Sequence, residues 1–265
     1  MFRFESNGLD VSHKQDFASS PKDEYGKHIH RFFELIYYVS GEVEYHIESE
    51  RQDAQVGDIF LIKPGQYHFA SVNKNVPYER YVLKFPEDLL PPKLLEKALK
   101  ADGVFPFRHE VGNIVKSLDN LREINDDDDF EILCKCKIIE LMVILLGKGN
   151  NMHVGLRDQL VSKIISYIEA NIEKEVSISD IAEALNYSES YIVSSFKQSM
   201  QIPLMKYIRS KKIFYAHDLI AQGFLPEKVA DMLGFNDYST FYRAYCKIIG
   251  EPPSQTKKKS TGSSL

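Results

Sequence analysis

Cysteine is scarce in this sequence: Cys134, Cys136 and Cys246 are the three in 265 residues. An odd number without metal-ligand spacing excludes a disulfide framework and a cysteine-held zinc, and fits free thiols in a reducing compartment. Cys134 and Cys136 point to different faces of a helix, which excludes a redox pair. Also missing is any run of about 18 apolar residues, so no membrane-spanning helix is expected. The opening residues, MFRFESNGLD, hold no charged segment followed by an apolar one; no secretory leader is read there, and a cytoplasmic location is expected. Nothing reads as a nucleophile beside its base, and no glycine-rich phosphate loop occurs.

What is present is an ordinary globular composition. At 43% hydrophobic residues the chain can bury a substantial core, and its length suits two domains better than one. The net charge of -5 is unevenly placed: from Leu156 onward there are 14 Lys and Arg against 12 Asp and Glu, leaving 19 against 26 before it. An acidic first part joined to a weakly basic second part predicts modest non-specific affinity for nucleic acid in the second.

Along the chain, Met1 to Lys27 shows no sustained period and reads as an arm with one short strand at most. Short β-rich runs follow at His28 to Val39, Glu42 to Glu48, Asp58 to Ile62 and Tyr78 to Phe85, punctuated by Gly41, Gly57 and Pro64-Gly65. They predict a sandwich or small barrel. Helical patterns follow: Lys93 to Lys100, Glu110 to Glu123, and about Phe130 to Leu146 behind the acidic run Asp126 to Asp129, which either caps that helix or is a solvated loop. In the long helix Ile132, Leu133, Ile139, Met142, Val143 and Leu146 form a broad apolar stripe, for packing on its own domain or pairing with a second copy. Gly147 to Gly155 reads as a linker, and residues 257–265 as a disordered tail. The predicted domains are therefore 1–150 and 156–256.

The second domain is organised by a repeat. Val229, Ala230 and Leu233 share a helical face, Gly234 breaks the helix, Phe235 can plug the angle, and a second periodic run carries Phe241 and Tyr245. The segment from Asp180 to Tyr187 aligns with Lys228 to Phe235, with Asn186 where the other copy has Gly234. Phe196 and Tyr245, then Pro203 and Pro252, continue the correspondence across a joining helix from Leu204 to Gln222.

This tandem helix-turn-helix resembles the DNA-binding domain of AraC-type bacterial transcription regulators, over roughly Leu156 to Thr256. Gln201 and Thr256 stand where that family usually has Gly and Tyr, while Gly250 and Tyr207 keep the pattern in the opposite copies. The resemblance implies recognition helices in successive major grooves, with Ser190, Val193 and Ser194 reading bases from the first unit and Tyr238, Ser239, Tyr242 and Arg243 from the second. Lys197, Arg209, Lys211, Lys212 and Lys247 are the candidate phosphate contacts, each otherwise an ordinary helix surface.

In the first domain His28, His30, Glu34 and His68 stand out. Even-numbered residues of one strand share a face, and Phe32, Ile36 and Tyr38 on that face mark it as inward. The string His28-x-His30-x-x-x-Glu34, then Gly57, Pro64-Gly65 and His68, resembles the two cupin motifs in part, over about Tyr25 to Phe85. It implies a small β-barrel with an interior pocket, which AraC-type regulators commonly use as an effector sensor. The pocket set is His28, His30, Glu34, Tyr38 and His68.

Three imidazoles and a carboxylate could equally hold a divalent metal or form a satisfied internal network. The reading taken is an α+β, two-domain, non-enzymatic regulator without a cofactor or bound metal, binding double-stranded DNA and a small polar effector of the sugar type. Homodimerisation stays open, and RNA polymerase would be a partner of an activator. The alternatives are a metal-dependent cupin enzyme with an accessory helical domain, and a dimeric regulator that ignores small molecules.

Overall fold

The computed structural model describes residues 1–17, 27–73, 75–101, 103–106, 108–147 and 156–256. The chain divides into two compact units, Met1–Leu156 and Arg157–Leu265. The expected linker, apart from Gly147, and the expected tail 257–265 lie outside the described residues.

The first unit opens on a hairpin where an arm was expected. β1 (Phe2–Ser6) pairs with β2 (Leu9–Asp16) from Phe2 opposite His13 to Ser6 opposite Leu9. The two-residue loop is Asn7-Gly8, both at positive φ (45° and 85°), the backbone that a tight hairpin with right-handed strand twist requires. Seven strands follow: β3 (Phe33–Ser40), β4 (Val43–Ile47), β5 (Glu50–Asp53), β6 (Ile59–Ile62), β7 (His68–Val72), β8 (Tyr78–Phe85) and β9 (Val104–Phe105). One antiparallel sheet has the order β1-β2-β8-β3-β6-β9, and a second carries β5-β4-β7. β3 starts five residues later than the expected run from His28. His28 instead exchanges backbone hydrogen bonds with His68 of the second sheet (3.1 Å each way), so the chain crosses between sheets before Phe33.

Strand alternation gives the larger sheet two apolar faces. Val11, Leu35, Tyr37, Tyr81 and Leu83 pack against α1 (Pro92–Lys100), α2 (His109–Ile124) and α3 (Asp127–Leu145), meeting Val111, Leu118, Phe130 and Ile138. Ile36, Tyr38 and Tyr78 face the other way, into a smaller core with Val43 and Tyr45 of the second sheet and with Phe60, Ile62 and Val104. Asp126 caps α3 by accepting from the Asp129 amide (2.9 Å), which decides between the two readings of the acidic run. The broad stripe on α3 divides. Met142 is fully buried with Phe130, Cys134, Ile138, Leu141 and Leu145, whereas Ile132 and Val143 are exposed.

The hairpin is fastened to α3 at Glu131. Its carboxylate accepts from Lys135 Nζ (2.6 Å), Ser6 Oγ (2.5 Å) and Asn7 Nδ2 (3.0 Å), which pull its pKa down to about 2. A carboxylate whose folded pKa is depressed stabilises above its unfolded value, ~4.3, and loses that contribution as pH falls toward the folded one. The melting temperature of the wild type should therefore exceed that of Glu131→Gln near neutrality, with the gap closing as pH is lowered from about 5 to about 2. A gap that does not change over that range would remove Glu131 from the account.

The second unit is helical: α4 (Gln159–Ala170), α5 (Ile178–Leu185), α6 (Glu189–Met200), α7 (Leu204–Ala221), α8 (Pro226–Met232) and α9 (Tyr238–Ile249). Asp158, Ser177, Ser188 and Asp237 cap α4, α5, α6 and α9, each side chain accepting from the amide three residues on. α5-α6 and α8-α9 are the two expected helix-turn-helix units. Asn186 adopts the left-handed conformation (φ 57°) and Gly234 takes the corresponding place (φ 72°). Asn236 is an extra residue in the second turn.

Both departures from the family pattern are absorbed locally. Gln201 ends α6 in the left-handed conformation (φ 52°) that Gly250 takes after α9 (φ 86°). Buried Thr256 shares a hydrogen bond with the Tyr245 hydroxyl (2.9 Å), while its counterpart Tyr207 packs edge-on against Phe196 with ring centres 5.2 Å apart.

Candidate functional site

On α6, Ile192, Phe196 and Met200 are buried, so the opposite face, with Ser190, Ser194 and Lys197, is turned to solvent. Val193 is half-buried at the edge of that face. On α9, Phe241, Tyr245 and Ile249 hold the helix to the core and leave Tyr238, Ser239, Tyr242, Arg243 and Lys247 outward. Arg243 Nη2 lies 3.4 Å from Thr240 Oγ1, which donates to Asp237 Oδ2 (2.7 Å).

Two of the five expected phosphate contacts have other work. Lys212 is buried and donates to the Leu233 carbonyl oxygen (2.7 Å), satisfying the C-terminal end of α8; burial lowers its pKa. Lys211 pairs with Glu169 (2.9 Å) and lies over the Tyr207 ring. Both side chains sit on the face of α7 that docks its neighbours, a fact that charge alone does not reveal. Lys197, Arg209 and Lys247 remain exposed.

In the first unit the four singled-out residues converge although their strand assignment was wrong. One ligand atom from each of His28, His30, Glu34 and His68 lies within 4.8 Å of all the others. His30 Nε2 is 2.7 Å and His68 Nε2 3.3 Å from the same oxygen, Glu34 Oε2, while Lys84 Nζ is 3.7 Å from Oε1. Burial disfavours the Glu34 charge, but the hydrogen bond from His30, the neighbouring His68 imidazole and the charge of Lys84 outweigh it and hold its pKa well below the usual carboxylate range. Burial likewise lowers the His30 pKa against the pull of Glu34.

The Nδ1 atoms of His30 and His68 each lie 3.0 Å from a backbone carbonyl oxygen, of Phe32 and Gln66. Carbonyls only accept, so these nitrogens carry a proton; that turns His68 Nε2 inward as a lone-pair donor, whereas His30 Nε2 faces the Glu34 carboxylate at hydrogen-bond distance. His68 Nε2 is buried, and its approach to Glu34 lacks hydrogen-bond geometry. Such a donor set fits a divalent cation.

A cavity of about 490 Å³ opens beside these residues, within the size range of small-metabolite sites. His28, Glu34 and His68 are on its wall, with Ser12, Tyr45 and Arg80. His30 is not on that wall and acts on it by holding Glu34. Tyr38, expected in the pocket, belongs to the core between the sheets, where its hydroxyl donates to the Gly41 carbonyl oxygen.

Comparison with known proteins places both units. A family model described as an AraC-like ligand binding domain matches residues 16–142, and a helix-turn-helix domain model matches residues 181–259. The chain belongs to the AraC-type family of transcription regulators.

Among curated relatives, an uncharacterized response regulatory protein of Staphylococcus epidermidis is 28% identical over 109 residues, and the transcriptional regulatory protein HptR of Staphylococcus aureus 26% over 109 residues. Each match covers 41% of this AraC-type chain and 43% of the relative, so the chain spans under half the length of either. Among solved structures, ToxT from Vibrio cholerae O395 aligns over 96% of this chain and 99% of its own at 15% identity, with a TM-score of 0.41. A probable AraC family transcriptional regulator from Rhodopseudomonas palustris aligns over 39% of this chain and 98% of its own at 26% identity and a TM-score of 0.36.

Residues of the AraC-type units that the sequence reading passed over also come to the surface. Tyr187 and Tyr191 are exposed at the start of α6 with ring centres 5.4 Å apart; α9 has an exposed pair at the same spacing, Tyr238 and Tyr242 (6.2 Å), two positions later relative to its cap. The i, i+4 tyrosine spacing in both copies was the available signal. Among the described residues no helix is long and apolar enough to cross a membrane.

Proposed function

We propose that this chain is a sequence-specific DNA-binding transcription regulator whose first unit senses a small polar metabolite. The observation that carries the reading is the repeat. Two helix-turn-helix units each hold one side of the second helix in a closed apolar core and turn the opposite side, polar and basic, outward. Ser190, Val193, Ser194, Tyr191, Tyr238, Ser239, Tyr242 and Arg243 are the base-reading candidates, and Lys197, Arg209 and Lys247 the phosphate contacts.

Selection of bound fragments from random DNA tests this. The recovered sites should contain two short elements centred about 10 base pairs apart, one per major groove. Three phosphate contacts give a slope of log affinity against log salt of about -3. A flat salt dependence, or random recovered sequences, would reject the reading.

Arg243 alone among the outward residues of α9 has the fork that pairs with two acceptors of guanine. Arg243→Ala should cost ~1 to 3 kcal/mol, roughly 5- to 150-fold in affinity, and relax a single position of the site. Competition binding against a set of single-base variants measures both, and unchanged discrimination at every position would exclude Arg243 from base reading.

A second reading of His28, His30, Glu34 and His68, as ligands of a divalent cation, is favoured by the buried lone pair of His68 Nε2. A cation there would supply a fixed charge at the end of the cavity. As for assembly, Ile132 and Val143 stand exposed three turns apart on α3, and we place the contact with a second copy there; sedimentation of an Ile132→Glu variant tests it. Contact with RNA polymerase follows if the regulator activates.

A further inference from the structure

The outward face of α9 narrows which bases the second unit reads, an inference that rests on the DNA-binding reading above. The two recognition helices are alike where they are buried and unlike where they are not. Each has a buried anchor four positions after its cap, Ile192 behind Ser188 in α6 and Phe241 behind Asp237 in α9. Counted from those anchors, Glu189, Ser190, Val193 and Ser194 of α6 correspond to Tyr238, Ser239, Tyr242 and Arg243 of α9. The first set is three small side chains and a carboxylate. The second holds two aromatic rings and a guanidinium.

These rings are held rather than loose. Tyr242 lies 6.2 Å, centre to centre, from Tyr238 one helical turn earlier, and Tyr238 lies 5.8 Å from buried Phe241, which packs in turn on Phe235 and Tyr245. A chain of ring contacts thus runs from the core to the surface. The Tyr242 hydroxyl sits beside the Cys246 thiol one turn on, which raises its pKa and keeps the phenol protonated. What Tyr242 and Tyr238 offer a partner is ring surface, 40% and 38% exposed. Tyrosine has only two side-chain torsions to freeze, so such a surface docks at low entropic cost.

In the major groove guanine, adenine and cytosine are marked by donors and acceptors, whereas thymine adds a 5-methyl group that apolar side chains contact. A ring on a helix in that groove has the methyl group as its counterpart. Arg243 follows Tyr242 directly, about 1.5 Å further along the helix axis, and base steps are about 3.4 Å apart, so the two side chains address the same or neighbouring base pairs.

We propose that the second unit reads a thymine methyl group with the Tyr242 ring, buttressed by Tyr238, beside the guanine taken by Arg243. In the first unit the place of Tyr242 is held by Val193, whose methyl groups make a smaller contact of the same kind, and Ser194 stands where the guanidinium would be. Base discrimination is therefore weighted toward the second unit.

The duplex recovered by selection from random DNA, with each thymine replaced singly by deoxyuridine, tests this. The exchange removes the methyl group and leaves every donor and acceptor in place. One uridine within about two base steps of the position that Arg243→Ala relaxes should weaken binding of the full chain about fourfold, the ~0.8 kcal/mol of one buried methylene-sized group. In Tyr242→Ala the same exchange should have no effect, and in Tyr242→Phe, which keeps the ring, its full effect should return. Uridine tolerated throughout that element, a methyl effect that persists in Tyr242→Ala, or a Tyr242→Phe variant that behaves like Tyr242→Ala would overturn the assignment. Specific binding without a methyl effect rejects the tyrosine reading and keeps the regulator; recovery of no preferred sequence rejects both.

Discussion

Glu34→Ala should abolish the response of DNA affinity to effector while DNA binding without effector persists. Glu34 is 5% exposed and its carboxylate is the common partner of His30, His68 and Lys84. Removing it deletes the hydroxyl acceptor of the cavity and the anchor that orients two imidazoles. Leaving buried partners uncompensated also costs stability, of order 3 to 5 kcal/mol, so Glu34→Gln, which keeps shape and one acceptor, accompanies it. Effector titration of DNA binding, with and without a chelator, is the measurement. A response that survives chelation in the wild type and is lost in both variants is the expected result. Stoichiometric metal in the purified protein, with a response lost on its removal, would assign the four residues to a cation instead.

Phe241→Ala should disable the second helix-turn-helix and leave the first. Phe241 is fully buried, with its ring edge-on to Phe235 at 5.2 Å and 5.6 Å from Tyr245. Its cluster is built from α7, α8 and α9. Phenylalanine truncation in such a core costs ~3 to 5 kcal/mol, a large part of the 5 to 15 typical of a whole domain. The protected region on DNA should shrink from two major-groove segments to one, with partial loss of helical signal on heating at a lower temperature. A footprint of unchanged length would mean that the second unit tolerates the cavity or never contacts DNA.

The helical unit was nearly all legible because its signals are local. Side-chain caps, the apolar period and the turn residues Asn186 and Gly234 each act within a few positions of where they occur. The two lysines were misread because their partners, Glu169 and the Leu233 carbonyl, are far away in the chain and visible only once helices pack.

In the first unit the site was legible as a set of residues but not as an element. Side-chain alternation puts His28, His30 and Glu34 on one face of any extended segment, and they do meet, yet the segment changes sheets on the way. Tyr38 obeyed the same alternation and still missed the pocket, since a shared face continues beyond the cavity into packed core. The opening hairpin was missed for a different reason: Asn7-Gly8 is a strong turn signal, but its flanking strands mix charge and aromatics without a clean period.

The larger sheet has one further consequence, for how this protein can diverge. Even positions of β2, β8 and β3 line the cavity and odd positions of the same strands carry α1, α2 and α3. A substitution at residue 12, 14, 82 or 84 can therefore alter which molecule is received without touching the layer that holds the helices, and a change at 11, 35 or 83 does the reverse. Ligand preference and scaffold are inherited on alternate letters of one stretch of sequence, so relatives that share the scaffold are free to answer to different molecules.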